Sequence, residues 1–162
     1  RLRSSIADHL DISPNSVHAY VFGEHGDTSM IPWSLTTIAG SSMEQYCAEQ
    51  DHREIDEDAI IEEVRKAGSE VIKRKGATFY AIAASTVQLI KALLSDTDTI
   101  LPLATLLDGE YGAKDLCTGV LCKVGGCGFK SIVEVPLPED EMKLFSEKLA
   151  SLDNTFNALN VR

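Results

Sequence analysis

The sequence predicts an α+β domain in which helices pack on antiparallel β-hairpins. Long helical patterns come first and strands joined by glycine turns follow, without the strand–helix–strand alternation of a parallel sheet. The 162 residues suit one compact domain, and no internal repeat or linker divides them. Hydrophobic residues make up 44% of the chain and charged residues 25%, which is typical of a globular domain.

The N-terminal part is predicted to hold one short helix and two extended segments. Residues 1–10 have apolar side chains at every fourth position, which predicts the end of a helix. These apolar residues are Leu2, Ile6 and Leu10. The apolar run at 17–22 predicts a strand that ends in a glycine-flanked loop at 23–27, and residues 33–39 predict another extended piece.

Two long helices are predicted next, separated by Gly76. The first, from Asp56 to Arg74, has one apolar stripe. The stripe consists of Ile60, Val64, Ala67, Val71 and Ile72. The second, from Thr78 to Leu94, is apolar on nearly every side, which predicts a buried central helix.

The C-terminal part is predicted to form hairpins followed by a last helix. Strands are expected at 99–107, 118–124 and 129–135, and the glycine cluster at 125–128 predicts a tight turn between the last two. Pro138 and three acidic residues after it favour a helix start. The packing stripe of that helix is Met142, Phe145, Leu149, Leu152, Phe156 and Leu159.

Composition excludes several classes of partner. Acidic residues outnumber basic ones by 25 to 15, so the net charge of −10 would repel nucleic acids and anionic membranes. No apolar run approaches the roughly 18 residues that a membrane helix needs. Residues 1–6 lack the pattern of a signal peptide. No G-x-G-x-x-G or phosphate-loop motif occurs, so we expect no nucleotide site formed by this chain alone.

The four cysteines predict neither a metal site nor a redox motif. Cys117, Cys122 and Cys127 recur every five residues, which is not C-x-x-C spacing, and Cys47 lies far from them in sequence. We expect reduced, partly buried thiols and a cytoplasmic location. A thiol or zinc protein is a weak alternative.

His25 is the strongest catalytic candidate. Glycines on both sides of the Glu24-His25 pair allow a sharp turn and leave the imidazole unshielded after a strand. Histidine can give and take a proton near neutral pH. A histidine in an ordinary surface turn is the competing interpretation, and the pentapeptide alone favours that reading.

Four segments in order resemble L-lactate dehydrogenases of the lactate/malate dehydrogenase superfamily, bacterial type. Residues 23–29 (GEHGDTS) with Pro32-Trp33-Ser34 resemble that family's active-site loop. Residues 1–3 (RLR) are similar to the end of its Asp-Ser/Thr-Ala-Arg-Phe-Arg motif. Residues 75–82 (KGATFYAI) resemble its substrate-pocket helix, and residues 106–112 (LLDGEYG) match a hairpin. The resemblance covers the whole chain as the family's C-terminal domain.

The resemblance implies roles for four residues. His25 would protonate the carbonyl oxygen of pyruvate as hydride arrives from NADH, and would deprotonate lactate in the reverse direction. Arg1 would bind the substrate carboxylate through two parallel hydrogen bonds. Thr78 would shape the pocket beside the substrate, and Ile82 would lie against the nicotinamide ring of NAD.

The resemblance also implies that residues 1–162 are a C-terminal substrate-binding and catalytic domain. The N-terminal Rossmann domain that binds NAD is absent from this chain, and so are the specificity loop and the aspartate that orients the histidine. The chain has no initiator Met, and we expect it to be cut from a longer protein and inactive as an isolated fragment.

A regulatory role follows from two further matches. Arg3 and His18 correspond to the positions that bind fructose 1,6-bisphosphate at a subunit interface in many bacterial lactate dehydrogenases. Two cationic groups that face their symmetry mates would repel each other until a phosphate neutralises them. The resemblance further implies a homotetramer.

Two alternatives stay open. Within the superfamily, the substrate could be malate or another 2-hydroxy acid such as a branched-chain one, although Thr28-Ser29 and Trp33-Ser34 resemble the lactate branch more closely. In another class, the chain would be a non-catalytic oligomerisation module that associates through Arg3 and His18. Arg1 together with His25 discriminates between the two classes, since an assembly module needs no carboxylate-binding group near an exposed histidine.

Overall fold

The computed structural model describes residues 1–26, 29–50 and 55–159, and in them the predicted α+β class is confirmed. The α-helices are Leu2–Leu10 (α1), Met43–Glu49 (α2), Glu57–Lys75 (α3), Phe79–Leu93 (α4) and Glu139–Ala158 (α5). The strands are Val17–His18 (β1), Thr37–Ile38 (β2), Ser41–Ser42 (β3), Thr99–Asp108 (β4), Lys114–Gly125 (β5) and Gly128–Ile132 (β6). Strands β1 to β3 form one antiparallel sheet in that order, and β4 to β6 form a second.

The chain divides into two compact units. The first consists of Arg1–Tyr20 and Ile31–Phe79, and the second of Val21–Met30 and Tyr80–Arg162. The loop that carries His25 therefore belongs to the same unit as the long hairpins, although it is close in sequence to the first unit.

The first unit is organised around α1 and α3. The predicted apolar residues Leu2, Ile6 and Leu10 are all buried, as the four-residue spacing requires for one helix face. The hydroxyl of Ser5 donates a hydrogen bond to Glu63 Oε2 at 2.6 Å, which ties α1 to the polar side of α3. Ile60 of α3 is fully buried beside this core.

The ends of α3 follow from its sequence. The carboxylate of Asp56 accepts a hydrogen bond from the Ala59 amide at 3.0 Å, so Asp56 is the N-cap. Gly76 ends the helix in the left-handed region, with φ of 79°, and its amide donates to the Ile72 carbonyl. The predicted stripe is only partly correct, because the side chain of Ile72 is 52% exposed.

The second unit packs α5 against the long hairpins. Strands β4 and β5 pair over their length, and β5 continues through the predicted glycine turn into β6. Leu116, Val120 and Val124 of β5 are buried. On α5, Phe145, Leu149 and Leu152 are buried as predicted, whereas Leu159 at the C-terminal end is 64% exposed.

Helix α4 differs from the prediction. It forms at the expected place, but of its residues only Ala92 is buried, and Ile82 and Val87 are 63% and 50% exposed. The expectation of a buried central helix was wrong within this chain. Apolar residues on every side show that a helix can be buried on all its faces. They do not show which part of a protein packs against those faces.

Two other expectations need correction. The strand predicted at 17–22 is shortened to β1, and the extended piece at 33–39 begins with a 3₁₀ turn over Trp33–Leu35 before β2. Helix α2 was not predicted. Its N-cap is Ser42, whose hydroxyl accepts a hydrogen bond from the Gln45 amide at 3.1 Å.

Candidate functional site

The loop with His25 is anchored at its start by two pairs of backbone hydrogen bonds. Phe22 and Met30 exchange hydrogen bonds of 2.8 and 2.9 Å across the base of the loop. Gly23 and Gly119 of β5 exchange two more, each of 2.9 Å. The imidazole of His25, two residues further on, is exposed to solvent. The loop thus presents an accessible imidazole from a base that is hydrogen-bonded to the sheet.

The turn of the loop itself is narrow. Gly23 has φ of 94°, in the left-handed region that favours glycine, and the Ser29 amide donates to the Gly26 carbonyl at 3.2 Å. Asp27 and Thr28, which contribute to the sequence resemblance, lie outside the described residues.

Three aromatic rings fix the base of this loop in the core of the second unit. The ring of Phe22 is fully buried and lies 5.6 Å from that of Phe145 and 6.1 Å from that of Tyr111, measured between centroids. The rings of Tyr111 and Phe145 meet edge to face at 5.2 Å. Helix α5 and the β4–β5 turn therefore both support the segment at Phe22 that leads to His25.

Tyr111 also makes polar contacts that hold the β4–β5 turn. Its hydroxyl accepts a hydrogen bond from the Val135 amide at 3.1 Å, and its own amide donates to Glu134 Oε1 at 2.9 Å. Burial raises the pKa of the Tyr111 phenol, because the phenolate would lose solvation there. The phenol is therefore held in its neutral form.

Ile82 lies on α4 in the second unit as an exposed apolar side chain. It is 63% exposed, one turn after the start of the helix, and Thr86 donates a hydrogen bond to its carbonyl oxygen at 2.9 Å. An exposed branched aliphatic side chain on a regular helix can pack against the flat face of a ring.

Arg1 and Thr78 lie in the first unit. Arg1 directly precedes α1, its carbonyl accepts a hydrogen bond from the Ser5 amide, and its side chain is exposed. Its Nη1 atom lies beside Gly68 of α3. A Cβ added at Gly68 would be 3.2 Å from this nitrogen. Thr78 is half-buried and directly precedes α4. Because Gly68 has no side chain, the guanidinium of Arg1 can lie close to the α3 backbone.

Arg3 and His18 both belong to the first unit, and Arg3 contacts the two residues that follow His18. Arg3 Nε donates a hydrogen bond to the carbonyl of Ala19 at 3.3 Å, and its guanidinium lies 5.6 Å from the centroid of the Tyr20 ring. His18, the residue before Ala19, is exposed on β1. The backbone that Arg3 contacts therefore directly follows His18 in the chain.

Sequence reasoning missed two glycines, one beside the loop with His25 and one beside Arg1. Gly119 approaches the loop backbone so closely that a Cβ would lie 2.6 Å from the Gly23 carbonyl oxygen, and Gly68 leaves room for Arg1. A single glycine inside a predicted strand is a known sign of close backbone approach, so the signal for Gly119 was present at 118–124. Gly68 gave no comparable signal, because helices tolerate an isolated glycine.

One groove of the second unit contains none of the predicted site residues. It has a volume of about 540 Å³ and lies between the β4–β5 turn and α5. Its lining includes Tyr111, Lys114, Met142, Ser146 and Asp153.

The cysteines are unpaired with one another in the structure. All four cysteines are free thiols, of which Cys47 and Cys122 are buried and Cys117 and Cys127 exposed. Within residues 1–26, 29–50 and 55–159, no three histidine, cysteine or acidic side chains converge as a metal site would require. Among the described helices, none combines the length and hydropathy of a membrane span.

Comparison with protein families gives one match over nearly the whole chain. Residues 1–160 match the lactate/malate dehydrogenase, alpha/beta C-terminal domain. L-lactate dehydrogenase of Acetivibrio thermocellus is 36% identical over 99% of this chain and 51% of its own length. L-lactate dehydrogenase 3 of Bacillus anthracis is 41% identical over 91% of this chain and 47% of its own. The chain spans about half the length of these relatives.

Solved structures of both branches share the fold. The minor L-lactate dehydrogenase of Enterococcus mundtii superimposes with a TM-score of 0.88 at 35% identity, over 99% of this chain and 52% of its own. Malate dehydrogenase of Salinibacter ruber gives 0.85 at 34% identity, over 99% and 51%.

Proposed function

The chain belongs to the lactate/malate dehydrogenase family as its alpha/beta C-terminal domain, and we propose that it is the substrate-binding and catalytic half of an NAD-dependent L-lactate dehydrogenase. The observation that carries the proposal is the exposed imidazole of His25 in a glycine-flanked loop whose base is fixed to β5. A catalytic base needs such a combination of access and restraint. The identity to L-lactate dehydrogenases over about half their length supports the choice of reaction.

His25 performs the proton transfer in the proposed mechanism. In the direction of reduction, the imidazolium donates its proton to the carbonyl oxygen of pyruvate, and the ring is left neutral. In the reverse direction, the neutral ring accepts the hydroxyl proton of lactate. Exposure of the imidazole leaves it free to contact a small substrate directly.

Arg1 and Thr78 bind and orient the substrate in this proposal. The guanidinium of Arg1 holds the carboxylate with two parallel hydrogen bonds, which fix the plane of the keto acid as well as its position. In a protein whose net charge is −10, a local arginine is needed to attract an anion. Thr78, half-buried before α4, limits the space beside the substrate.

Ile82 is the residue of this chain that would contact the cofactor. Its exposed aliphatic side chain fits the apolar face of a nicotinamide ring. NADH, when bound, would supply the hydride that reduces the carbonyl carbon. Of the motifs recognised in this chain, only the one with Ile82 is assigned a contact with NADH.

The direct test is the replacement of His25 in the full-length enzyme. We expect His25→Asn to lower kcat by about 10²- to 10⁴-fold, because asparagine keeps a polar side chain but cannot transfer the proton. Circular dichroism should be unchanged, since the side chain is exposed. His9→Gln, at an exposed histidine on α1, is the matched control and should retain activity. A kcat within about twofold of wild type in His25→Asn would contradict the proposal.

Pyruvate is preferred over oxaloacetate as the substrate, since curated relatives at 36% and 41% identity are L-lactate dehydrogenases. Malate dehydrogenases of the same fold make the second candidate. The ratio of kcat/KM for the two keto acids decides between them.

A non-catalytic oligomerisation module is disfavoured, because such a module needs neither Arg1 nor His25. We further propose a homotetramer working in the cytoplasm, where its free thiols would stay reduced.

The cluster of Arg3 and His18 supports fructose 1,6-bisphosphate as an effector. The contacts of Arg3 with the Ala19 carbonyl and the Tyr20 ring restrain its guanidinium next to the residues that follow His18, which supports a shared anion site. A phosphate ester would accept hydrogen bonds from both side chains and relieve their repulsion across a subunit interface.

The effector is tested on the full-length enzyme. We expect the bisphosphate to lower the pyruvate concentration at half-maximal rate and to shift sedimentation towards tetramer. His18→Ala should reduce both effects and leave the rate without effector unaltered, whereas His9→Ala should behave as wild type. An unchanged response in His18→Ala would refute the site.

A further inference from the structure

We infer that Gly119, a residue of β5 with no role in the chemistry, is a positioning residue for His25; this inference rests on the proposed function. The two residues are far apart in sequence, and the link between them is the backbone of Gly23. Gly23 is two residues before His25 and is bonded to Gly119 in both directions.

The contact between Gly119 and Gly23 leaves no space for a side chain. A Cβ at position 119 would lie 2.6 Å from the Gly23 carbonyl oxygen, 3.7 Å from its carbonyl carbon and 3.8 Å from its nitrogen. All three atoms belong to the backbone, so no rotamer change relieves the clash. Either the loop or β5 has to move.

The loop is the side that yields. Strand β5 is paired with β4 from one end to the other and with β6 near its C-terminal end, and its residues Leu116 and Val120 are buried. Among the described residues, the loop base is held by its bridge to Met30, by the ring contacts of Phe22 and by the pair of hydrogen bonds to Gly119. Displacement of a short segment costs less than displacement of a strand in a sheet.

A shifted Gly23 carries the imidazole with it. Proton transfer depends steeply on the distance between the imidazole nitrogen and the substrate oxygen, and a misplacement of about 1 Å can cost about 10²-fold in rate. Arg1 and Thr78 belong to the first unit, whereas Gly23 and Gly119 belong to the second. Loss of Gly119 should therefore lower kcat much more than it raises KM.

The experiment uses Gly119→Ala in the full-length enzyme. We expect kcat for pyruvate to fall by about tenfold or more, with KM within about threefold of wild type. Amide hydrogen exchange provides a readout that does not depend on activity. Exchange at Gly23 should become faster, because its amide loses the bond to the Gly119 carbonyl, while the amides of β4 keep their protection.

Val120→Ala is the matched control. It removes buried volume from the neighbouring residue and lowers stability without approaching the loop. We expect its kcat to stay within about twofold of wild type and Gly23 to keep its protection. An equal loss of kcat in both variants would overturn the inference, because the effect would then be general destabilisation.

The result for His25→Asn separates the two hypotheses. If His25→Asn is inactive but Gly119→Ala keeps the wild-type kcat, only the positioning role is overturned. If His25→Asn is fully active, the proposed function itself fails, and the positioning role fails with it.

Discussion

At the scale of single residues, two glycines leave space for the backbone or side chain of a neighbouring candidate residue. Gly119 admits the backbone of the loop with His25, and Gly68 admits the guanidinium of Arg1. The side chains of His25 and Arg1 are exposed, so their own packing restrains them little. Their positions follow from neighbouring backbone that approaches closely only where a Cβ is absent.

The bidentate binding proposed for Arg1 gives a prediction at this scale. Arg1→Lys keeps the charge but replaces a planar donor pair by a single ammonium, so one charge-assisted hydrogen bond is lost. Such a bond contributes about 1.5–3 kcal/mol, and kcat/KM for pyruvate should fall by about 10- to 100-fold in the full-length enzyme. Steady-state kinetics measures the change. Arg74→Lys, an equivalent exchange at an exposed position of α3, should have no effect. Equal kcat/KM in Arg1→Lys and wild type would exclude the proposed contact.

At the scale of elements, the β4–β5 turn and α5 support the loop through one aromatic cluster. Tyr111 contributes its ring to Phe22 and Phe145 and its hydroxyl to the Val135 amide. Its backbone has φ of 53°, which is uncommon for a non-glycine residue and places the ring inside the unit. The turn is thus part of the support of the candidate site as well as a connection between strands.

The raised pKa of Tyr111 predicts a loss of stability at alkaline pH. Because burial raises the pKa in the folded protein above 10.0, the unfolded chain releases the phenolic proton first as pH increases. The free energy of unfolding therefore falls once pH exceeds about 10, and the contribution is fully present below that value.

Tyr111→Phe tests this linkage. The variant cannot ionise, but it loses the acceptor for the Val135 amide and should be less stable than wild type by about 1 kcal/mol at neutral pH. Urea unfolding at several pH values should show that this difference is constant between pH 6 and 8 and narrows above about pH 10. A difference that stays constant up to pH 11 would contradict the assignment.

At the scale of the whole molecule, the unusual feature is the amount of apolar surface on α4. Ile82, Val87 and Leu94, which directly follows the helix, are 63%, 50% and 80% exposed. Large exposed apolar side chains on one helix favour association with another surface. The chain also spans only about half of the relatives it matches.

The exposed apolar surface predicts how the 162-residue chain behaves alone. Replacing Val87 and Leu94 by lysine together should reduce self-association in sedimentation velocity, because it removes apolar surface and adds charge. The free energy of unfolding should change by less than about 1 kcal/mol, since both side chains are at least half exposed. Ser85→Lys with Gln88→Lys adds the same charge at exposed polar positions of α4. This control should self-associate more than the double variant at Val87 and Leu94. Equal association in the two double variants would refute the role of apolar area.

Sequence patterns predicted the elements with strong periodicity. Helices α1, α3 and α5 and the hairpin at 125–128 were found because spacing of apolar residues and glycine turns is local information. The short helix α2 and the 3₁₀ turn at Trp33–Leu35 were missed, since a seven-residue helix and a single turn show too few repeats to be recognised. The candidate site residues came from a resemblance of motifs, and their roles stay predictions.

The sequence alone determined the fold class, the helix ends at Asp56 and Gly76 and the presence of a histidine between glycines, because each depends on residues within a few positions of one another. Only the tertiary structure decided that α4 is exposed, that Phe22 packs between α5 and the β4–β5 turn, and that Gly119 touches Gly23. Contacts between residues that are far apart in sequence depend on how the elements pack. A local sequence pattern contains no information on the spatial distance between such residues.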